Sequence, residues 1–127
     1  MTSKRLGKCI LIVEDDPDIR GMLNQLFEGE GFQVLQAENG KDALEVLRSS
    51  PKPDIILLDL LMPVMDGYGF RKVHETDYQL SSIPIVLMSA EGQLDIKQMK
   101  IGLALSVRKP IDIDTLLSVV AKAIKGS

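Results

Sequence analysis

An aspartate that directly follows an apolar run constrains the fold of this chain more than any other feature. Residues 55–58 (IILL) are too few to span a membrane, but they suit a strand buried inside a protein. Asp59 comes next, and an uncompensated buried charge is either very unfavourable or neutralised by a shift in its pKa. Pro63 then ends the strand, because proline cannot donate to the ladder of a sheet. The sequence therefore predicts an acid at the carboxyl end of a central strand, where open α/β sheets bind their ligands.

Five apolar segments have the length and composition of short strands. They are Cys9–Val13 and residues 32–37, 54–58, 83–88 and 103–107. The segments that follow them carry helical patterns, so strands and helices alternate five times along the chain. This alternation predicts an α/β fold, in which a parallel sheet has helices on both faces and the crossovers are right-handed.

The helices are predicted from apolar spacing and from residues that favour helix ends. The boundary signals are Asp16-Pro17 and Gly29/Gly31 for the first helix, Asn39-Gly40 and Ser49-Ser50-Pro51 for the second, and Asp66-Gly67 for the start of the third. Residues 91–100 are predicted as a fourth helix. The first and last helices have apolar faces made of Ile19, Met22, Leu23, Leu26 and Phe27, and of Ile113, Leu116, Leu117, Val120, Ala121 and Ile124.

Composition limits the classes to which the protein can belong. With 127 residues, 45% of them hydrophobic and 26% charged, we expect a single domain over 1–127 with its core over about 8–125. A net charge of -3 gives no reason to expect nucleic-acid or membrane binding. One cysteine and no leader pattern favour the cytoplasm. Cys9 lies in an apolar strand pattern, so we interpret it as a small core residue and not as a nucleophile.

Polar residues follow four of the predicted strands. Glu14, Asp15 and Asp16 follow the first, Asp59 the third, Ser89 the fourth and Lys109 the fifth. The carboxyl ends of parallel strands share one edge of a sheet, so the strands are able to bring these groups together. Clustered carboxylates repel one another, and Mg2+ relieves that repulsion through oxygen ligands. Asp is also able to attack phosphorus, so the pattern indicates a metal-assisted phosphoryl site at Asp59.

Four motifs make a resemblance specific. ILIVEDD, the D-x-x-MPxMDG block that begins at Asp59, IPIVLMSA and RKP occur in the order and spacing of one family and cover nearly the whole chain. The sequence resembles the receiver (CheY-like) domain of a two-component response regulator. The resemblance implies a flavodoxin-like, doubly wound, five-stranded parallel sheet of order 2-1-3-4-5 with five helices.

The resemblance also implies a magnesium site. Asp15 would bind Mg2+ directly and Glu14 through water, with Asp59 and the backbone carbonyl of Leu61 as further ligands. Asp16 follows this acidic pair, and a role as the cap of the first helix is favoured over a role at the metal.

The remaining implied roles concern the phosphoryl group. Asp59 would be the phosphoacceptor, Ser89 would hydrogen-bond the phosphoryl group, and Lys109 would pair with the carboxylate or its phosphate. The Lys109-Pro110 peptide bond is expected to be cis, as in the family. A histidine kinase or a histidine phosphotransfer protein would donate the phosphate, which switches the surface that binds a downstream effector or a fused output domain. We expect the domain to catalyse only its own phosphorylation and dephosphorylation, and not to be a turnover enzyme.

Two residues bear on how a receiver would work. Ser106 stands where the family usually has Tyr or Phe, three residues before the lysine. Either output runs without that aromatic, or coupling is weak, or the position tolerates drift. His74, the single histidine, falls on the predicted third helix beside Val73 and is interpreted as a packing residue.

Three other functions are alternatives to the receiver. An interaction module that is never phosphorylated is favoured only by Ser106. A phosphohydrolase with an aspartyl nucleophile would need a second Asp at the position of Leu61. A flavin-binding protein would need a phosphate-binding loop where residues 14–16 are acidic.

Overall fold

The computed structural model describes residues 8–59, 73, 76–77, 80–89, 105–108 and 110–125, with the main chain alone at residues 89, 105, 106, 108 and 125. Five strands are described: β1 (Cys9–Val13), β2 (Gln33–Ala37), β3 (Ile55–Asp59), β4 (Ile85–Ser89) and β5 (Leu105–Arg108). They form one parallel sheet of order β2-β1-β3-β4-β5. The predicted strands, the parallel sheet and the strand order are confirmed.

The boundaries of β1 are as predicted, and those of the other four strands differ from the prediction by one or two residues. β3 extends to Asp59, which pairs in register with Met88 of β4, so the acid belongs to the last step of the ladder. β4 begins at Ile85 and not at residue 83, because Pro84 has no N–H and joins the sheet only by accepting a hydrogen bond from Ile56 N at 3.0 Å.

Three helices are described: α1 (Pro17–Gly29), α2 (Gly40–Ser49) and α3 (Ile113–Lys125). Their first turns are capped by side-chain oxygens. Asp16 Oδ1 accepts from Asp18 N at 2.9 Å, Asn39 Oδ1 from Asp42 N at 2.8 Å, and Asp112 Oδ2 from Thr115 N at 2.9 Å. The hydrogen bonds from Thr115 also hold the pKa of the Asp112 carboxyl below its usual value. The predicted caps at Asp16 and Asn39 are confirmed.

Glycine ends the first helix as predicted. Gly31 has a φ of 94°, in the left-handed region that glycine favours. The chain then turns back, and Phe32 N donates to Phe27 O at 3.0 Å. The rings of Phe27 and Phe32 meet edge to face with their centroids 5.3 Å apart.

The sheet is buried on both faces because its strands alternate between two cores. Leu11, Ile56 and Leu87 lie in the core that α2 covers. Ile10, Leu57 and Met88 lie in the core that α1 and α3 cover. Full burial of such a side chain contributes about 1.5–3 kcal/mol, which explains why these strands consist of continuous apolar residues.

Two apolar residues that were assigned to buried helix faces are exposed. Met22 of α1 is 42% exposed and Ile113 of α3 is 45% exposed. Leu23, Phe27, Leu116 and Val120 instead carry the helix contacts with the sheet. The prediction was wrong for the two exposed residues, because helical spacing alone does not fix how far a buried stripe extends around a helix.

The third and fourth predicted helices lie largely outside the described residues. Val73 and Thr76 are helical, in agreement with a helix after Asp66-Gly67, and Val73 packs against the core under α2. His74 and residues 91–100 lie outside the described part of the chain, so the predictions for them stand untested.

Candidate functional site

The register of the sheet places two acids beside each other. Val13 of β1 pairs with Leu58 of β3, so Glu14 and Asp59 are the next residues along two neighbouring strands. Both are buried, with Glu14 1% and Asp59 5% exposed. Two carboxylates at neighbouring strand ends repel each other and are costly to remove from water, so the pair favours a cation.

Asp15 completes a cluster of three acids with Glu14 and Asp59. One carboxylate oxygen from each residue lies within 4.8 Å of the others, and Asp15 is exposed where the other two are buried. Three carboxylates and an open side form a donor set of the kind that a hard divalent cation such as Mg2+ takes, with water on the open side. The predicted metal-binding acids are therefore brought together, although their roles stay predictions.

The turn that carries these acids is held by hydrogen bonds around Glu14. Glu14 N donates to Ala37 O of β2 at 3.0 Å. Asp16 N donates to Glu14 Oε2 at 3.2 Å. Arg20 Nη1 donates to the main-chain Glu14 O at 2.8 Å. Because Asp16 also caps α1, it lies outside the three-acid cluster, as the favoured interpretation predicted.

Arg20 was not singled out from the sequence. The available signal was one arginine in the first turn of an amphipathic helix that begins directly after three acids. That spacing does not reveal whether the guanidinium reaches a carboxylate, a carbonyl or the solvent, and the contact with Glu14 O depends on the path of the turn.

The remaining predicted site residues are only partly described. Ser89 ends β4 one step beyond Met88, the register partner of Asp59, and pairs in register with Arg108. The Ser89 side chain, Leu61 and Lys109 lie outside the described atoms. The topology nevertheless puts the ends of β3, β4 and β5 at one edge of the sheet, as predicted.

A hydrogen-bonded pair of residues, Cys9 and Asp54, lies at the opposite, amino edge of the sheet. Cys9 N donates to Asp54 Oδ2 at 2.8 Å, and Asp54 N donates to Cys9 O at 2.8 Å. A groove of about 640 Å³ lies there, lined in part by Cys9, Lys52 and Asp54. None of the three clustered acids lines it, so this groove is separate from the acidic site.

Cys9 is half-buried, so its interpretation as a core residue was wrong in degree. It is the first residue of its strand and borders the groove, where packing is incomplete. Burial raises the pKa of its thiol, and the charge of Asp54 raises it further. Both effects favour the protonated, weakly nucleophilic form of the thiol.

None of the helices in the described ranges has the length and apolar character to cross a bilayer.

Comparison with known proteins gives one consistent result. The family model of the response regulator receiver domain matches residues 10–121. Sporulation initiation phosphotransferase F of Bacillus subtilis is 38% identical over 119 residues, which cover 92% of this chain and 94% of that protein.

Solved structures have the same fold. The receiver domain of a signal transduction histidine kinase from Syntrophus aciditrophicus is 30% identical with a TM-score of 0.86, covering 94% of this chain and 92% of that one. The receiver domain of a sensor histidine kinase from Pseudomonas aeruginosa, solved with a magnesium ion in its active-site cleft, has a TM-score of 0.84 at 24% identity, covering 95% of this chain and 99% of that one.

Proposed function

Since this chain belongs to the response regulator receiver domain family, we propose that it accepts a phosphoryl group on Asp59 in a reaction that requires Mg2+. The observation that carries the proposal is the cluster of Glu14, Asp15 and Asp59, whose carboxylate oxygens lie within 4.8 Å of one another. The magnesium ion found in the related receiver from Pseudomonas aeruginosa supports the same assignment.

The residues of this chain divide the work between metal binding and phosphoryl transfer. Asp15 and Asp59 would hold Mg2+ through carboxylate oxygens, Glu14 would hold it through water, and Leu61 would contribute its backbone carbonyl. When bound, Mg2+ offsets the charge of the acids and of the incoming phosphoryl oxygens. The sheet supports this arrangement because Glu14 and Asp59 stand at the ends of adjacent strands, with little freedom to separate.

Asp59 is proposed as the nucleophile because it is the cluster member at the end of the central strand. One of its oxygens forms the new bond to phosphorus as the bond between phosphorus and the donor's imidazole nitrogen breaks. Ser89 donates a hydrogen bond to the transferred group, and Lys109 supplies a positive charge. These two roles rest on the position of both residues directly at the ends of β4 and β5.

Phosphorylation is proposed to act as a switch and not as a step in turnover. The donor is a histidine kinase or a histidine phosphotransfer protein, and the added dianion changes the surface that binds an effector protein or a fused output domain. We propose a single cytoplasmic receiver domain over 1–127 that binds neither nucleic acid nor membranes. It catalyses only its own phosphorylation and dephosphorylation.

The test is intact-mass spectrometry after incubation with acetyl phosphate, with Mg2+ or with EDTA. We expect the mass of one phosphoryl group to be added only with Mg2+, and not in Asp59→Asn. Asp54→Asn is the matched control, since it makes the same change at the other end of β3 and should leave the addition intact. A wild-type chain that binds Mg2+ but is phosphorylated equally well in EDTA would contradict the proposal.

An interaction module without phosphorylation is the second candidate, favoured by Ser106 in place of an aromatic residue. It predicts neither Mg2+ binding nor addition of a phosphoryl group in the same experiment.

A further inference from the structure

Arg20 lies close to the acidic site but belongs to none of the roles assigned above. Its main-chain N donates to Asp16 O at 2.9 Å, which closes the first turn of α1. Its side chain reaches back, and Nη1 donates to Glu14 O at 2.8 Å. One residue therefore contacts both ends of the turn formed by Glu14, Asp15 and Asp16.

The contact with Glu14 O matters because this carbonyl belongs to the peptide unit that leads into Asp15. A peptide unit is planar, so holding its oxygen also fixes the direction in which the chain enters Asp15. Glu14 is held in addition through its N–H by Ala37 O, and it is buried. Asp15 is exposed, so its carboxylate depends on the main chain for its position.

The chemistry of the contact leaves the carboxylates available. The guanidinium donates to a main-chain oxygen, and this donation occupies none of the acid oxygens that face one another within 4.8 Å. The side chain is half-buried beside the turn, which limits the number of conformations it takes. An arginine in this place orders an acidic turn without competing with a cation for its ligands.

We propose that Arg20 is a positioning residue for the metal site: by holding Glu14 O it directs Asp15 toward Asp59 and so sets the affinity for Mg2+. The inference rests on the proposed function. It makes Arg20 part of the apparatus that binds the metal without making it a ligand.

The direction in which Mg2+ affinity changes when Arg20 is replaced distinguishes positioning from simple charge attraction. Replacing arginine with methionine makes the chain one unit more negative, and Coulomb attraction alone then predicts tighter Mg2+ binding. Positioning predicts the reverse, because an unheld turn must be ordered when the ion binds. We expect Arg20→Met to weaken Mg2+ binding by about tenfold, and Arg20→Lys, which keeps a cationic donor, to recover most of that loss.

The experiment is isothermal titration of Mg2+ into the metal-free wild type, R20M and R20K, well below the unfolding temperature of each. Arg48→Met is the matched control, since it removes the same charge from an exposed position in the last turn of α2. R48M should bind Mg2+ as tightly as the wild type or slightly more tightly. If R20M does not fold, Arg20→Gln replaces it, because glutamine is too short to reach Glu14 O and should bind Mg2+ as weakly.

The outcomes are distinct for the two proposals. Wild-type binding together with an R20M or R20Q affinity that is unchanged or tighter overturns the role of Arg20 and leaves the proposed function intact. A wild type that does not bind Mg2+ overturns both. Loss of affinity in R20M that R20K does not recover also overturns positioning by the hydrogen bond, because lysine keeps the donor and the charge.

Discussion

Two aspartates at opposite ends of β3 show how the position of one residue type decides its use. Asp54 precedes the strand and forms two hydrogen bonds with Cys9: its carboxylate Oδ2 accepts from Cys9 N, and its own N–H donates to Cys9 O. Asp59 ends the strand, is buried, and faces two further carboxylates within 4.8 Å. The first arrangement joins β1 to β3, and the second concentrates negative charge that favours a cation.

The difference follows from the direction of a parallel sheet. At the amino edge, Asp54 precedes β3, and its carboxylate accepts from the first N–H of β1. At the carboxyl edge, chains leave the sheet toward helices and side chains from several strands converge. The same residue type therefore has a structural role at the amino edge and a proposed reactive role at the carboxyl edge.

The largest expected effect concerns metal affinity. Asp15→Asn removes a proposed charged ligand from the carboxyl edge and should weaken Mg2+ binding by about tenfold or more, whereas Asp54→Asn should leave it within about twofold of the wild type. Isothermal titration of both variants makes the comparison. Equal weakening in the two would mean that the edges are not distinct.

A smaller effect of opposite sign at the two edges is expected in stability. In EDTA, Asp59→Asn should raise the free energy of unfolding by about 1 kcal/mol, because it relieves repulsion within the acid cluster. Asp54→Asn should lower it by about 1 kcal/mol, because a charged hydrogen bond to Cys9 N becomes a neutral one. Urea unfolding followed by circular dichroism measures both. A loss of stability in both variants would show that the acids of the cluster are already compensated.

The smallest effect concerns the thiol at the amino edge. The charge of Asp54 helps to raise the pKa of Cys9, so Asp54→Asn lowers that pKa and increases the thiolate fraction at any pH below it. Alkylation by iodoacetamide near pH 8 should therefore be about two- to threefold faster in Asp54→Asn than in the wild type. Asp59→Asn, at the far edge, serves as the control and should react at the wild-type rate.

Much of the fold was predictable because it depends on residues that are close together in the sequence. The apolar runs of β1 and β3, the caps at Asp16 and Asn39, and the glycine at position 31 each act within a few residues. Their outcomes agree with the prediction because burial on both sheet faces and capping hydrogen bonds depend on residue type and spacing.

The errors occurred where a neighbour distant in sequence decides the outcome. Met22 and Ile113 fit an apolar helix face but are exposed, because the sheet and the adjacent helix determine how much of that face is covered. Cys9 fits a buried strand but lies at the edge of a groove beside Asp54. Arg20 gave no clear signal, since its partner is a main-chain oxygen.

The candidate site divides in the same way. The sequence by itself determined which acids stand at strand ends, because strands and their terminating residues are specified locally. Only the tertiary structure decided that Glu14 and Asp59 are neighbours and that Asp15 joins them. It also decided that Asp16 caps a helix and that Arg20 donates to Glu14 O. The physical reason is that hydrogen-bond register between strands far apart in the chain sets distances within a few ångströms, and residue spacing along one strand does not contain that register.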